Sequence, residues 1–253
     1  MDYREIPAFC INLKQHQQKW ENSYKSLAKN GFKNIIRIEG IYGKELSQEY
    51  IEQNVSVYAR FLLQTDQNRC SNYDMPSIGA IGCTLSHKNC WEIIVNENLK
   101  DGFIFEDDLD IRSNFIREIQ KYLSNLDKNV DVFSFGYLTK TNCKNNKCDR
   151  FTGTQGYYIT NKGARKLLQY TTPIENPADV YIGLMNKLGH INLVFSHTPL
   201  VHQNNITGSS IGLKWYTNLR CGIPHNIYIF ILYTFIIIVL TCIIKEKIKL
   251  LFR

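Results

Sequence analysis

Apolar residues in the first 40 positions of the chain fall into three blocks with different spacing. Trp20, Tyr24 and Leu27 are four and three positions apart, with polar residues between them, which is typical of a helix with one buried face. The blocks on either side are short apolar runs typical of buried strands, and Gly31 ends the helix as a left-handed stop. The pattern predicts a right-handed strand–helix–strand unit, the start of an α/β sheet, over residues 6–13, 15–30 and 34–38.

The α/β pattern continues to about residue 201. Helices are predicted over residues 78–96, 113–126, 161–170 and 173–189, and strands over residues 102–105, 130–136, 152–160 and 191–201. Residues 47–75 and 139–150 are polar and show no period, so we expect irregular chain there. We predict one α/β domain over residues 1–213, joined by a linker at residues 214–226 to a C-terminal segment.

The C-terminal segment contains a run of 18 residues, 227–244, without a charged side chain. Such a run can cross a bilayer as a helix, and the basic tail at residues 245–253 is typical of a membrane flank. A buried core helix is the alternative. We expect a single-pass membrane protein, in a host membrane if the chain is viral. The basic tail predicts a cytoplasmic C-terminus, whereas the polar N-terminus, unlike a signal peptide, favours a catalytic domain that faces the cytosol, which is the arrangement we predict.

Composition and charge narrow the classes of partner. The chain is 44% hydrophobic and 21% charged, with a net charge of +7, and four of its basic residues lie after residue 244. The others form no long basic run, which fits an anionic substrate or a membrane surface better than a nucleic acid. The eight cysteines include no Cys-x-x-Cys pair, so their spacing does not support a zinc site. Cys143 and Cys148 flank a polar loop, either as a disulfide or as two free thiols.

The most informative motif is an apolar strand that runs into four carboxylates, Glu106, Asp107, Asp108 and Asp110. Side chains alternate in an extended backbone, so all of them except Asp107 are expected to share one face. Crowded carboxylates are costly to bury without a cation, and oxygen ligands suit Mn²⁺ or Mg²⁺. Ligands of open α/β sheets also bind beyond the carboxyl ends of strands. A solvated acidic turn is the alternative, and the motif alone also fits a metal-dependent phosphohydrolase.

Seven blocks of the chain form an ordered set over about residues 8–212. They are INLKQHQQKWE, RIEGIYGKEL, GAIGCTLSHKNCW, FIFEDDLDI, GTQGYYITNKGARKLL, PIENPADVYIG and PLVHQNNITGSSI. In their order and spacing these blocks resemble glycosyltransferase family 25, which contains bacterial lipooligosaccharide galactosyltransferases and procollagen galactosyltransferases. The resemblance implies a GT-A-like, Rossmann-like fold that binds a nucleotide sugar, UDP-galactose or a similar donor, and inversion at the anomeric carbon. Two positions depart from the family: Lys19 replaces its usual Arg, and Tyr42 replaces the Asp of its usual Asp-Gly turn.

On this resemblance we predict a hexosyltransferase that transfers a hexose, galactose foremost, to a glycan, glycolipid, glycoprotein or other hydroxylated acceptor, as in lipopolysaccharide biosynthesis. Mn²⁺ or Mg²⁺ would neutralise the departing diphosphate. The predicted metal ligands are Glu106, Asp108, Asp110 and His202. The rival functions are a metal-dependent phosphohydrolase and an inactive, membrane-tethered carbohydrate-binding module.

The remaining site residues are predicted from their places beside the family motifs. Asp179 is the candidate general base for the acceptor hydroxyl, and its position in ENPADVYIG equally suits a helix-capping residue. The predicted donor-binding residues are Asn12, Lys19, Ser86, His87 and Gln203. For both His87 and His202 the alternative is an ordinary structural role.

Overall fold

The computed structural model describes residues 2–64, residues 74–204 and Thr234. Its strands are β1 (Ala8–Asn12), β2 (Ile35–Glu39), β3 (Asp101–Glu106), β4 (Leu109–Ile111), β5 (Val132–Gly136), β6 (Thr139–Thr141), β7 (Arg150–Thr152), β8 (Gly156–Thr160), β9 (Leu193–Phe195) and β10 (Val201–Gln203). Six of them form a mixed sheet in the order β2-β1-β3-β8-β5-β9. β8 runs antiparallel to both of its neighbours, and the other neighbouring pairs in this sheet are parallel.

Helices cover both faces of this sheet. They are α1 (Gln17–Lys29), α2 (Gln48–Asn54), α3 (Val57–Gln64), α4 (Ile78–Asn96), α5 (Phe115–Ser124), α6 (Asn161–Leu168) and α7 (Ala178–Lys187). Alternate residues of β3 point to opposite faces: Ile104 packs in the cluster that contains Trp91 of α4, whereas Phe103 and Phe105 pack in the cluster that contains Phe115 of α5. The result is a layered α/β architecture, as the sequence predicted.

The predicted strand–helix–strand unit is confirmed, because β1 and β2 are parallel neighbours joined through α1. The prediction of irregular chain over residues 47–75 is wrong for α2 and α3. Ser47 begins α2 by accepting a hydrogen bond from the amide of Tyr50 at 3.1 Å. Its apolar face is narrow, with Ile51 as its buried apolar residue, so the period of a helix is weak in the sequence.

Two predictions near the end of the domain change in detail. Residues 139–150 were expected to form a loop, but β6 and β7 pair there as a hairpin. A disulfide joins Cys143 to Cys148 in the same hairpin, which decides between the two states that the sequence left open. The single strand expected over residues 191–201 is two strands, since β9 stays in the main sheet and β10 pairs with β4.

The transmembrane helix predicted over residues 227–244 lies outside the described residues except for Thr234, and so do the predicted linker and basic tail. Over residues 2–64 and 74–204, no helix has both the length and the apolarity that a membrane crossing requires. The longest helix there, α4, has 19 residues, but it carries polar and charged side chains and packs inside the domain. This finding corrects the predicted fold with a C-terminal membrane span, and the single-pass membrane localisation inferred from it.

Candidate active site

A cleft opens at the edge of the sheet where β1 and β3 end. These strands are parallel neighbours, so their carboxyl ends lie together, as expected for a ligand site in an α/β sheet. The cleft has a volume of about 680 Å³ including its open mouth. Its wall includes six of the residues predicted from the sequence: Lys19, Ser86, His87, Glu106, Asp108 and Gln203.

The carboxylates that follow β3 do not alternate, because the chain bends at Asp107 and Asp108. Glu106 Oε1 accepts a hydrogen bond from Thr154 Oγ1 at 2.7 Å. Asp107 Oδ2 accepts one from Asn12 Nδ2 at 2.6 Å. All three consecutive carboxylates line the cleft. The predicted separation of Asp107 from its neighbours is therefore wrong, since it assumed a continuous strand.

Asp108 has one oxygen bound and one without a partner. Its Oδ2 accepts a hydrogen bond from Gln203 Nε2 at 2.8 Å. Its Oδ1 is buried and has no hydrogen-bond partner among the residues that the structure describes. Burial and then the charge of Glu106 raise the pKa of Asp108 to about 6. A carboxylate held in this way attracts a cation, whose positive charge would offset both the burial of Asp108 and its repulsion by Glu106.

Asp110 and His202 lie opposite each other on β4 and β10, and both are outside the wall of the cleft. Asp110 is exposed. His202 Nε2 accepts a hydrogen bond from Arg112 Nε at 2.7 Å. Side chains alternate along a strand, so His202 points away from the side taken by Gln203. The structure does not bring these two predicted metal ligands together with Glu106 and Asp108.

Helix α4 forms one wall of the cleft, and two glycines let it approach the loop after β2. A Cβ atom on Gly43 would overlap the carbonyl oxygen of Ile78, and one on Gly82 would overlap that of Ile41. Ser86 joins the same two segments: its hydroxyl donates to the carbonyl of Gly82 at 2.7 Å and accepts from the amide of Ile41 at 2.8 Å. Both of these bonds are internal, so Ser86 shapes the wall that it lines.

His87 is fully buried at the base of the cleft. Its Nδ1 lies 3.0 Å from the hydroxyl of Tyr157, which also accepts a hydrogen bond from Trp91 Nε1 at 2.9 Å. Its Nε2 lies 3.6 Å from Glu106 Oε1. Burial raises the pKa of Glu106, but His87 and the Thr154 hydroxyl lower it by more, so this pKa lies below its ordinary value. Glu106 is therefore ionised at neutral pH.

The two predicted donor-binding residues from the N-terminal unit have different places. Asn12 is buried beneath the cleft, where its Nδ2 donates both to Asp107 and to the carbonyl of His16, the latter at 3.0 Å. It therefore supports a cleft residue from behind. Lys19 lines the cleft directly, and its charge opposes the rise that burial causes in the pKa of Asp107 and of Asp108.

Asp179 lies in the first turn of α7, outside the wall of the cleft. Its Oδ2 accepts a hydrogen bond from the amide of Gly153 at 2.7 Å, and its Oδ1 accepts one from the amide of Val180 at 2.8 Å. Gly153 has a φ of +92°. The next residue, Thr154, is the hydrogen-bond donor to Glu106. Asp179 thus contacts the turn that holds one of the cleft carboxylates.

Residues 5–182 match the family model described as glycosyltransferase family 25 (LPS biosynthesis protein). The chain belongs to glycosyltransferase family 25. The family predicted from the seven sequence blocks is thereby confirmed.

The relatives of known name are much longer proteins than this chain. Procollagen galactosyltransferase 1-A of Xenopus laevis is 26% identical over 211 residues, which cover 78% of this chain and 33% of that protein. A glycosyltransferase 25 family member of Drosophila melanogaster is 28% identical over 197 residues, covering 70% and 30%. Inactive glycosyltransferase 25 family member 3 of Homo sapiens is 27% identical over 121 residues, covering 42% and 20%. The chain therefore spans about a third of the length, or less, of these relatives.

Three side chains of this cleft are absent from the residues predicted from the sequence: Cys83 and Asp107, which line its wall, and Thr154, which binds Glu106. Cys83 lies four residues before His87, and that spacing on one helix was a usable signal. The sequence pattern separates Asp107 from the other carboxylates because it assumes an extended backbone after β3. Thr154 is 48 residues from Glu106, and no local pattern links the two.

Proposed function

We propose that this chain transfers a hexose, with galactose as the first candidate, from a UDP-sugar to a hydroxyl group of a glycan, glycolipid or glycoprotein. Membership of glycosyltransferase family 25 supports the reaction class. The names of the procollagen galactosyltransferases, which are longer proteins, support galactose as the sugar.

The observation that carries the proposal is the buried Oδ1 of Asp108, which has no hydrogen-bond partner within residues 2–64 and 74–204, beside the ionised Glu106. An isolated carboxylate oxygen in this position is unfavourable unless a cation approaches it. Asp108 and Glu106 supply hard oxygen ligands, which fit Mn²⁺ or Mg²⁺ with the remaining positions left for water and phosphate. When bound, such a cation would neutralise the charge that develops on the diphosphate leaving group.

Residues of the chain would bind the diphosphate, orient the carboxylates and accept the proton of the acceptor. Lys19 lies in the cleft wall, where its ammonium group suits the diphosphate as a point charge. Gln203 and Thr154 hold Asp108 and Glu106 in fixed orientations, so no reorganisation is needed when charge develops. The acceptor hydroxyl must lose a proton during transfer, and Asp179 stays the candidate base for that step. Asp179 also accepts a hydrogen bond from the amide of Gly153, which gives it a second candidate role in positioning the Gly153–Thr154 turn.

The test is turnover of a panel of nucleotide sugars, followed by mass spectrometry of donor and acceptor products, with and without EDTA. Asp108→Asn removes the charge of the candidate ligand with little change in shape. We expect it to lower transfer by about 10²–10³-fold, the cost of losing one stabilising group in the transition state. Asp110→Asn is the matched control, since it makes the same chemical change two residues away on an exposed side chain.

Each rival function has a distinct outcome in the same assay. Release of phosphate from the nucleotide without formation of a glycosidic product would identify a phosphohydrolase. Binding of donor or glycan with no turnover of any donor would identify a binding module. Transfer that survives both EDTA and Asp108→Asn would exclude the proposed role of the metal.

A further inference from the structure

The base of the cleft brings together a thiol, an imidazole and a carboxylate, whereas the pair formed by Asp108 and Glu106 consists of carboxylates alone. Cys83 and His87 lie four residues apart on α4 and so share one face of the helix. That face meets the end of β3, where Glu106 lies. The Cys83 sulfur, a ring nitrogen of His87 and a carboxylate oxygen of Glu106 all lie within 4.8 Å of one another.

A second observation concerns the ring nitrogen that points into this group. His87 is fully buried, and its Nε2 has no hydrogen-bond partner among the described residues. The 3.6 Å between His87 Nε2 and Glu106 Oε1 exceeds a hydrogen-bond distance. Two ligands at about 2.0–2.2 Å from a shared tetrahedral zinc ion lie about 3.4 Å apart, so the observed spacing is close to that of a ligand pair.

The surroundings of His87 are those of a metal-binding histidine. A histidine ligand commonly donates its second ring N–H to a fixed acceptor, which orients the ring. Here the hydroxyl of Tyr157 lies 3.0 Å from Nδ1 and is itself held by the indole N–H of Trp91. In the tautomer that carries its proton on Nδ1, the lone pair of Nε2 is available for a metal ion on the side of Glu106, whose Oε1 lies 3.6 Å away.

We propose that Cys83, His87 and Glu106 bind Zn²⁺ or a similar thiophilic divalent cation at the base of the cleft. The thiol releases its proton to solvent, and the thiolate, imidazole and carboxylate each give an electron pair to the ion. All three residues also line the cleft, so a fourth position faces water or a ligand. Sulfur and nitrogen ligands select against Mg²⁺ and Mn²⁺, which separates this site from the oxygen pair at Asp108.

Binding there has a consequence that rests on the proposed glycosyl transfer. Glu106 is shared by the two ligand sets, and zinc would withdraw it from Asp108. We therefore expect Zn²⁺ to inhibit transfer even when Mn²⁺ or Mg²⁺ is supplied in excess. In Cys83→Ser, the ratio of transfer with Zn²⁺ to transfer without it should rise towards one, whatever the activity of the variant without zinc.

Metal binding can be tested without any sugar, on the full chain with its disulfide intact. Co²⁺ serves as a spectroscopic probe, because a thiolate ligand gives a sulfur-to-cobalt charge-transfer band in the near ultraviolet. Zn²⁺ affinity is measured in parallel by competition with a chromophoric chelator. We expect one tight site per chain, and a loss of affinity of more than about tenfold in Cys83→Ser and in His87→Gln, since even outer-sphere changes cost 10–100-fold.

Cys90→Ala is the matched control, because Cys90 is a buried cysteine of the same helix outside the cleft wall. It should keep both the cobalt band and the zinc affinity. The proposal is overturned if the wild-type chain shows no cobalt charge-transfer band, or if the band is still present in Cys83→Ser. Circular dichroism of each variant distinguishes loss of the site from loss of the fold. A chain that binds zinc but transfers no sugar defeats only the proposed transferase function, and a transferase without the cobalt band defeats only the zinc site.

Discussion

Hydrogen bonds from outside the acidic motif give each carboxylate of the cleft its own direction. Asn12 binds Asp107 and Gln203 binds Asp108, and in both pairs the partners are 95 residues apart in the chain. These neutral amide donors leave the negative charge in place, so the three carboxylates keep their attraction for a cation or a cationic ligand.

Asp179 gives the sharpest prediction for a single residue. Both of its oxygens accept hydrogen bonds from backbone amides, and it lies outside the cleft wall. These contacts favour a role in positioning the Gly153–Thr154 turn, which competes with its predicted role as the general base. Asn can accept the Gly153 bond through its one carbonyl oxygen. Asp179→Asn should therefore transfer sugar at a rate within about tenfold of wild type, whereas the rate of Asp179→Ala should fall by more than that. If Asp179 is the base, both variants lose about 10²–10⁴-fold in kcat.

Lys19 gives a second prediction at this scale. A charged contact to a diphosphate is worth about 1.5–3 kcal/mol, so Lys19→Met should raise the KM for the nucleotide sugar by about 10–100-fold. Lys19→Arg keeps the charge and restores the residue that family 25 usually has here, so its KM should stay near that of wild type. Steady-state kinetics against the donor measures both. Equal KM values for Met and Arg variants would show that Lys19 does not contact the donor.

Among the elements, the contact between α4 and the loop after β2 has little freedom to change. Both sides of this contact are backbone, so a new side chain has no flexible neighbour to displace. The first turn of α4 and the loop line the cleft together. A change in their separation should therefore alter ligand binding and stability at once.

Gly43→Ala tests this coupling. Its Cβ would overlap the Ile78 carbonyl, so we expect a loss of about 1–3 kcal/mol in the free energy of unfolding, with weaker donor binding. Gly183→Ala in α7 is the control, because its Cβ would make ordinary contact with Phe151 at 3.4 Å, and alanine favours a helix. Thermal unfolding and donor titration measure the two effects. Normal donor affinity in Gly43→Ala would mean that the wall adjusts without cost.

Across the whole molecule, the acidic cleft should reduce stability when no cation is bound. The folded pKa of Asp108 is about 6, above its ordinary value of 3.8, so the unfolded chain releases this proton first as the pH rises. Asp108 therefore leaves the free energy of unfolding unchanged below about pH 4. It lowers that free energy progressively between about pH 4 and pH 6, and by its full amount above about pH 6.

Asp108→Asn should consequently stabilise the chain in EDTA at pH 7.5 by about 1–3 kcal/mol, while it lowers transfer activity. The gain should disappear near pH 4, where wild-type Asp108 is protonated in both states. Denaturant unfolding at the two pH values gives the comparison, and Asp110→Asn provides the exposed control. A variant less stable than wild type at pH 7.5 would contradict a raised pKa at Asp108.

Local spacing in the sequence determined the α/β class, the first strand–helix–strand unit and the acidic motif at the end of a strand, because periods of two and 3.6 are set by residues close together in the chain. It did not determine which carboxylates share the cleft. A bend after β3 brought Asp107 in, and the pairing of β4 with β10 put Asp110 and His202 elsewhere. The meeting of Cys83 and His87 with Glu106 also depends on how α4 packs against the sheet. Contacts between distant parts of the chain decide such questions, and no local pattern encodes them.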